Sequence, residues 1–160
     1  MRTYYIFNVN RYYSYMYKNK PFKMYKIFEE IYYSKSYNSL NTYRNFETVA
    51  NPYNKTMLNE YIYYEFKQKY GYTRKDNKHN LNTSEKSTLL INNYNIKLIT
   101  ENNYSIFFRY LNNYNNNLFV CDFENMDYFW LCKLYNKNSN KELEIVKWTL
   151  QKPNLIVKLI

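Results

Sequence analysis

Residues 118–132 read LFVCDFENMDYFWLC, which puts two cysteines, three carboxylates and five aromatics into fifteen positions. Thiols and carboxylates at this density could hold a metal, run redox chemistry or supply a nucleophile and its base. Each use makes a demand on the rest of the chain. A structural zinc site takes four nitrogen or sulfur ligands, and the chain offers Cys121, Cys132 and one histidine, His79. A cysteine nucleophile needs a neighbouring base, and His79 would have to fold back onto this stretch from a polar segment. A phosphate-cradling loop needs several glycines, and the chain has only Gly71. We expect no catalytic residue, no metal site and no cofactor.

The same fifteen residues make sense as a β-hairpin. A turn centred on Asn125 and Met126 pairs Phe123 with Tyr128, Cys121 with Trp130 and Phe119 with Cys132. One face then carries Phe119, Cys121, Phe123, Tyr128, Trp130 and Cys132, and the other Leu118, Val120, Phe129 and Leu131 with Asp122. Two apolar faces predict a central hairpin covered on both sides. The cysteines lie diagonally, which makes them poor disulfide partners, and they read as buried small hydrophobes. Glu124 and Asp127 read as solvated turn residues. Asp122 points to an apolar face and needs hydrogen-bond partners there, such as backbone N–H groups.

The elements that must hold this hairpin follow from periodicity. Residues 3–9 are β-branched and aromatic and predict a buried strand. Helices are expected over 10–19, where Tyr13, Met16 and Tyr17 share a face, and over 21–33, where Pro21 suits the first turn and Tyr25, Phe28, Ile31 and Tyr32 form the stripe. A third helix is expected over 39–49, with Tyr43, Phe46 and Val49, ending at Asn51-Pro52. A fourth, over 54–68, carries Leu58, Ile62 and Phe66. GYTRKDNKHNLNTSEK, residues 71–86, has no clear period and is read as a long loop. STLLINN and NIKLIT then form a hairpin around Asn93, and Asn102 or Asn103 can cap a helix striped by Ile106, Phe107, Tyr110, Leu111 and Tyr114. The expected fold is α/β of the two-layer α+β kind: a mixed, largely antiparallel sheet covered by several helices, with a strand-strand-helix-strand-strand unit from residue 86 onward. Residues 1–134 are read as a single domain, and 135–160 as an extension that could add a strand.

Composition leaves two functions open. The chain has 160 residues, 23 Lys plus Arg against 13 Asp plus Glu, a net charge of +10 and 23 tyrosines. Basic charge with aromatics suits nucleic acid, where phosphates meet cations and bases stack on rings. The same profile arises from an A/T-rich genome, whose codons favour Asn, Lys, Tyr, Ile and Phe and disfavour Ala, Gly and Pro. The lysines form no five-residue block. Neither a signal segment nor a run of about 18 apolar residues is present, so a cytoplasmic protein is expected.

The chain resembles the SirA family, the sporulation inhibitors of replication of spore-forming Firmicutes. The likeness is carried by IFFRYLNNYNNNLFVCDFENMDYFWL, with Phe107, Phe108, Asp122, Phe123, Tyr128, Trp130 and Leu131. Two further blocks are the run from Tyr4-Tyr5 through Tyr13, Tyr17, Tyr25 and Phe28, and Asn45-Phe46 with Val49 before Pro52. The resemblance implies a small α/β protein that is not an enzyme, and a monomer that binds the N-terminal domain of the replication initiator DnaA one to one. It assigns partner binding to Tyr13, Tyr17 and Asn45, and a framework role to Asp122, Phe123, Tyr128 and Trp130. Three positions depart from the family pattern: Tyr13 stands where a phenylalanine is usual, Asn45 for a longer glutamine, and Phe129 for a glycine. Without the resemblance, Tyr13 and Tyr17 read as core residues of an amphipathic helix. A nucleic-acid-binding role remains the alternative.

Overall fold

The β-branched and aromatic run at the start of the chain becomes β1, Arg2–Asn8, in a computed structural model that describes residues 1–34 and 46–134. Helices α1 (Arg11–Tyr17) and α2 (Pro21–Tyr33) follow, then α3 (residues 46–49) and α4 (Lys55–Phe66). A four-strand meander comes next: β2 (Tyr72–Lys75), β3 (Lys78–Asn82), β4 (Lys86–Ile91) and β5 (Ile96–Thr100). The chain continues through α5 (Ile106–Tyr114), β6 (Leu118–Asp122), β7 (Asp127–Trp130) and α6 (Leu131–Leu134). The fold is α+β. Among the described residues every strand pairing is antiparallel, so the sheet is not mixed, and its order is β2-β3-β4-β5-β1-β6-β7. The first strand joins two units that are far from it in sequence. No described helix is long and apolar enough to cross a membrane.

Each sheet face has its own core with helices packed on it, so the layers number three instead of the expected two. On one side Tyr4, Ile6, Leu89, Ile91, Leu98, Val120 and Phe129 pack against Leu58, Ile62 and Phe66 of α4 and Phe107, Phe108 and Leu111 of α5. On the other, Phe7, Phe119, Cys121 and Trp130 pack against Met24, Tyr25, Phe28 and Ile31 of α2. Phe7 stacks on Phe28 at 4.0 Å, and Phe119 meets the Trp130 ring edge-on at 4.9 Å. Each such fully buried ring contributes about 2–3 kcal/mol.

The segment read as a loop, 71–86, is instead mainly the β2–β3 hairpin. Its inward residues are Tyr72, Arg74, His79 and Leu81, and its outward ones, Thr73, Lys75, Lys78, Asn80 and Asn82, are all polar, so the alternation is real but only weakly apolar. Asp76 turns the chain at φ 53°, and Gly71 opens the hairpin at φ 73°, where a Cβ would sit 2.2 Å from the Asn82 carbonyl oxygen. His79 therefore lies on an ordered strand, not in a loop.

The β6–β7 hairpin pairs Phe119 with Trp130, Cys121 with Tyr128 and Asp122 with Asp127, one residue per strand away from the expected register. The side-chain period of two keeps both faces as expected, since the pair sum moves by an even number. The loop is Phe123–Met126, with Met126 at φ 52°. Cys132 falls in α6 instead of a strand. Both hairpin faces are covered, yet β7 ends the sheet among the described residues, so the hairpin is not central. Asp127 is buried instead of solvated, because it pairs with Arg2. Ser105, not Asn102 or Asn103, caps α5: its Oγ accepts from the Phe107 N–H. Glu85 adds a buried carboxylate that accepts from the Ile106 N–H at 3.1 Å and from the Ser87 and Ser105 hydroxyls. Of the helix expected over 39–49, only residues 46–49 are described, and residues 135–160 lie outside the described residues.

Candidate functional site

α1 is short, and its sequence RYYSYMY buries no residue. It exists because Asn10 holds its start. The Asn10 side chain accepts from the Tyr13 N–H at 3.0 Å, satisfying one of the open donors of the first turn. The Asn10 amide donates to the Thr48 carbonyl, and its backbone N–H to the Val49 carbonyl at 2.9 Å. These bonds join α1 to α3. The bridge between Val9 and Ala50 tightens the same junction. At the other end Lys133 donates to the Lys18 carbonyl at 2.9 Å.

On this helix Tyr13 and Tyr17 are half-buried, their rings stacked at 6.0 Å and 20°. They rest on the α2-side core and leave their remaining edges in solvent. Tyr12, Tyr15 and Met16 are 67%, 87% and 46% exposed. A shallow groove of about 250 Å³ runs beside Tyr13, lined by Ile27, Glu30 and Ile31 of α2 and by Thr48 and Val49 of α3. Asn45, the third residue assigned to partner binding, lies outside the described residues. The exposed Tyr12 and Tyr15 were not singled out from the sequence. Their signal is positional, since helical spacing sets Tyr15 opposite the Tyr13–Tyr17 stack and turns Tyr12 about 100° from Tyr13, whose ring it meets edge-on at 5.6 Å.

Asp122, Phe123, Tyr128 and Trp130 converge elsewhere and are all buried. Asp122 Oδ1 accepts from the N–H groups of Glu124 and Asn125, both at 3.1 Å, which fixes the loop. Its Oδ2 accepts from Arg2 Nε at 2.9 Å and from the Asn125 side-chain amide at 2.7 Å. Arg2 Nη2 also reaches Asp127 at 2.6 Å. One guanidinium thus ties the first strand to both ends of the last hairpin loop. Burial opposes the Arg2 charge, but these carboxylates outweigh it and raise its pKa. Phe123 stacks on Tyr32 at 4.3 Å, and Tyr128 lies 4.9 Å from Tyr25.

Two further chemistry-bearing groups, Cys121 and His79, are fully buried. Both cysteines are free, and burial pushes the Cys121 thiol well above its usual pKa, away from the reactive thiolate. His79 donates from Nε2 to Asn59 Oδ1 at 2.8 Å, an assignment fixed because the Asn59 amide nitrogen donates to the Lys55 carbonyl. Its Nδ1 then accepts from the Tyr72 hydroxyl at 2.7 Å. Burial, with the Arg74 charge adding to it, lowers the His79 pKa from 6.5 to about 4, so the ring is neutral at physiological pH. Among the described residues no three metal-capable side chains come together.

No curated protein matches this chain in sequence. A family model described as sporulation inhibitor of replication protein SirA matches residues 2–134, from the start of β1 to the end of α6.

Proposed function

Since the chain belongs to the SirA family of sporulation inhibitors of replication, we propose that it restrains initiation by binding the N-terminal domain of the initiator DnaA through α1. The observation that carries this reading is a helix without one buried residue, on which stacked Tyr13 and Tyr17 are braced from beneath while Tyr12, Tyr15 and Met16 face solvent. Large exposed aromatics cost solubility unless a partner covers them, and tyrosine is enriched among residues that dominate binding energy. Holding Tyr13 and Tyr17 in one stacked geometry removes ordering entropy before the partner arrives.

The mechanism is occlusion. A one-to-one complex in the cytoplasm covers an initiator surface needed for self-association or for other partners. It calls for neither catalysis nor a cofactor. Calorimetric titration of the full chain with the isolated N-terminal domain of DnaA tests it. Saturable binding near one to one is expected, and no binding by the intact protein contradicts the reading.

A further inference from the structure

The α1–α2 layer covers only part of its side of the sheet. Over β6 and β7 that side is buried, but across β2, β3, β4, β5 and the start of β1 no described element covers it. Two rows of side chains cross this open face in register. Lys75, Lys78, Leu90, Lys97 and Tyr5 are successive cross-strand partners, and so are Thr73, Asn80, Thr88, Ile99 and Thr3. None of these ten residues is buried. The next residue in the first row, Cys121, already is.

We infer that this open face binds single-stranded nucleic acid, with phosphates held by Lys75, Lys78 and Lys97 and a base set against Tyr5 and Tyr32. The first support is charge. Lys75 and Lys78 stand directly opposite each other, an arrangement that costs the fold, and neither forms an ion pair with a described residue. Lysines on an edge strand can discourage strand pairing, but Lys97 lies on β5, which is paired on both sides. Among the described residues three acids stand near this face: Glu101 at the rim opposite Lys86 at 3.9 Å, Glu47 of α3, which accepts from the Tyr94 hydroxyl at 3.0 Å, and Asp76 in the turn between Lys75 and Lys78.

The second support is the aromatic end of the lysine row. Tyr5 packs against Tyr32 at 5.0 Å, their hydroxyls 3.2 Å apart, and Lys97 Nζ lies 5.8 Å from the Tyr5 ring centre. Tyr33, at the end of α2, is exposed beside them. With strands about 4.8 Å apart, the row is about 19 Å long. A flat sheet face with cations along it and rings at one end suits a splayed strand, whereas a duplex is read by an element that enters a groove. The neighbouring row of Thr73, Asn80 and Thr88 supplies hydroxyl and amide groups for uncharged contacts, hydrogen-bonded to one another at 3.0–3.4 Å.

The test uses the full chain and fluorescent dT20 and rU20, read by anisotropy over a range of salt, with no initiator domain present. The pair Lys78→Glu and Lys97→Glu is compared with Lys55→Glu and Lys67→Glu, which make the same charge change at the two ends of α4, across the sheet. We expect at least tenfold weaker binding for the first pair and less than threefold for the second. The slope of log K against log salt should fall by about 1.4 for the first pair, at about 0.7 for each phosphate that no longer meets a lysine. If the glutamates unfold the chain, the Lys78→Gln and Lys97→Gln pair should still weaken binding at least threefold. Binding of either strand with this contrast supports the inference. Equal losses from both pairs, equal affinity for a duplex, or no binding overturns it, whatever the outcome with the initiator domain.

Discussion

RYYSYMY in α1 and DYFW in β7 are both dominated by aromatics, yet the helix buries none of its residues and the strand buries all of them. The difference lies in how many layers each meets. β7 sits between α2 on one face and α6 on the other, so every side chain of its period-two pattern finds a core. α1 touches the body of the protein along one side only, through Tyr13, Tyr17 and the Ser14 hydroxyl, which donates to Asn117 Oδ1 at 3.3 Å, and this leaves Tyr12, Tyr15 and Met16 in water. Aromatic content therefore marks framework in one place and, in our reading, a contact surface in the other.

The sharpest way to break this contrast is to truncate one ring from each region. Trp130→Ala should cost about 4 kcal/mol in urea unfolding, since it removes a large buried side chain and leaves a cavity. Tyr15→Ala should change stability by less than about 0.5 kcal/mol. Similar costs for both would mean that α1 is framework too.

The next largest effect belongs to His79, on the covered face of β3. Its folded pKa lies near 4, below the unfolded value of 6.5, so the unfolded chain takes up the proton first. Stability should be full above about pH 6.5 and fall as pH drops toward 4, by a total of about 3 kcal/mol. His79→Gln should flatten that part of the pH profile. A profile with no loss over this window would mean that the ring is not buried as described.

Asp122→Asn should cost about 2 kcal/mol. It weakens the tie between the last hairpin loop and β1, but Arg2 keeps Asp127 as a partner and is partly solvated, which limits the loss. Denaturation of Arg2→Met in parallel should give a comparable loss, and strict additivity of the two would argue against a shared network.

Much of this organisation was legible because it rests on periodicity. The α2 stripe of Tyr25, Phe28 and Ile31, the spacing in α4 and the order of elements after residue 86 all follow from side chains that meet a core, whereas Tyr32, expected in that stripe, is exposed and Met24 is buried in its place. Both faces of the β6–β7 hairpin were readable even though the register was displaced, since parity survives an even change in the pair sum. The β2–β3 hairpin was not legible, because its inward side uses Tyr72, Arg74 and His79, which are satisfied through hydrogen bonds and an ion pair instead of through apolar contact. Asp127 was misread for a related reason: its partner, Arg2, lies 125 positions away in sequence. At α1 the spacing of Tyr13 and Tyr17 was readable, but the exposure of Tyr12 and Tyr15 depends on how little of the sheet the helix reaches. Asn45 and residues 135–160 lie outside the described residues.

The most direct test of the central claim pairs two measurements on the same variants. Affinity for the isolated N-terminal domain of DnaA and the urea midpoint are determined for the native chain, Tyr13→Ala, Tyr17→Ala and Tyr15→Ala. The expected result is a loss of at least tenfold in affinity for Tyr13→Ala and Tyr17→Ala, about 1.4 kcal/mol or more, with a stability change below about 1 kcal/mol. Unchanged affinity in those two variants, or a loss that merely follows reduced stability, would contradict α1 as the surface through which this protein acts.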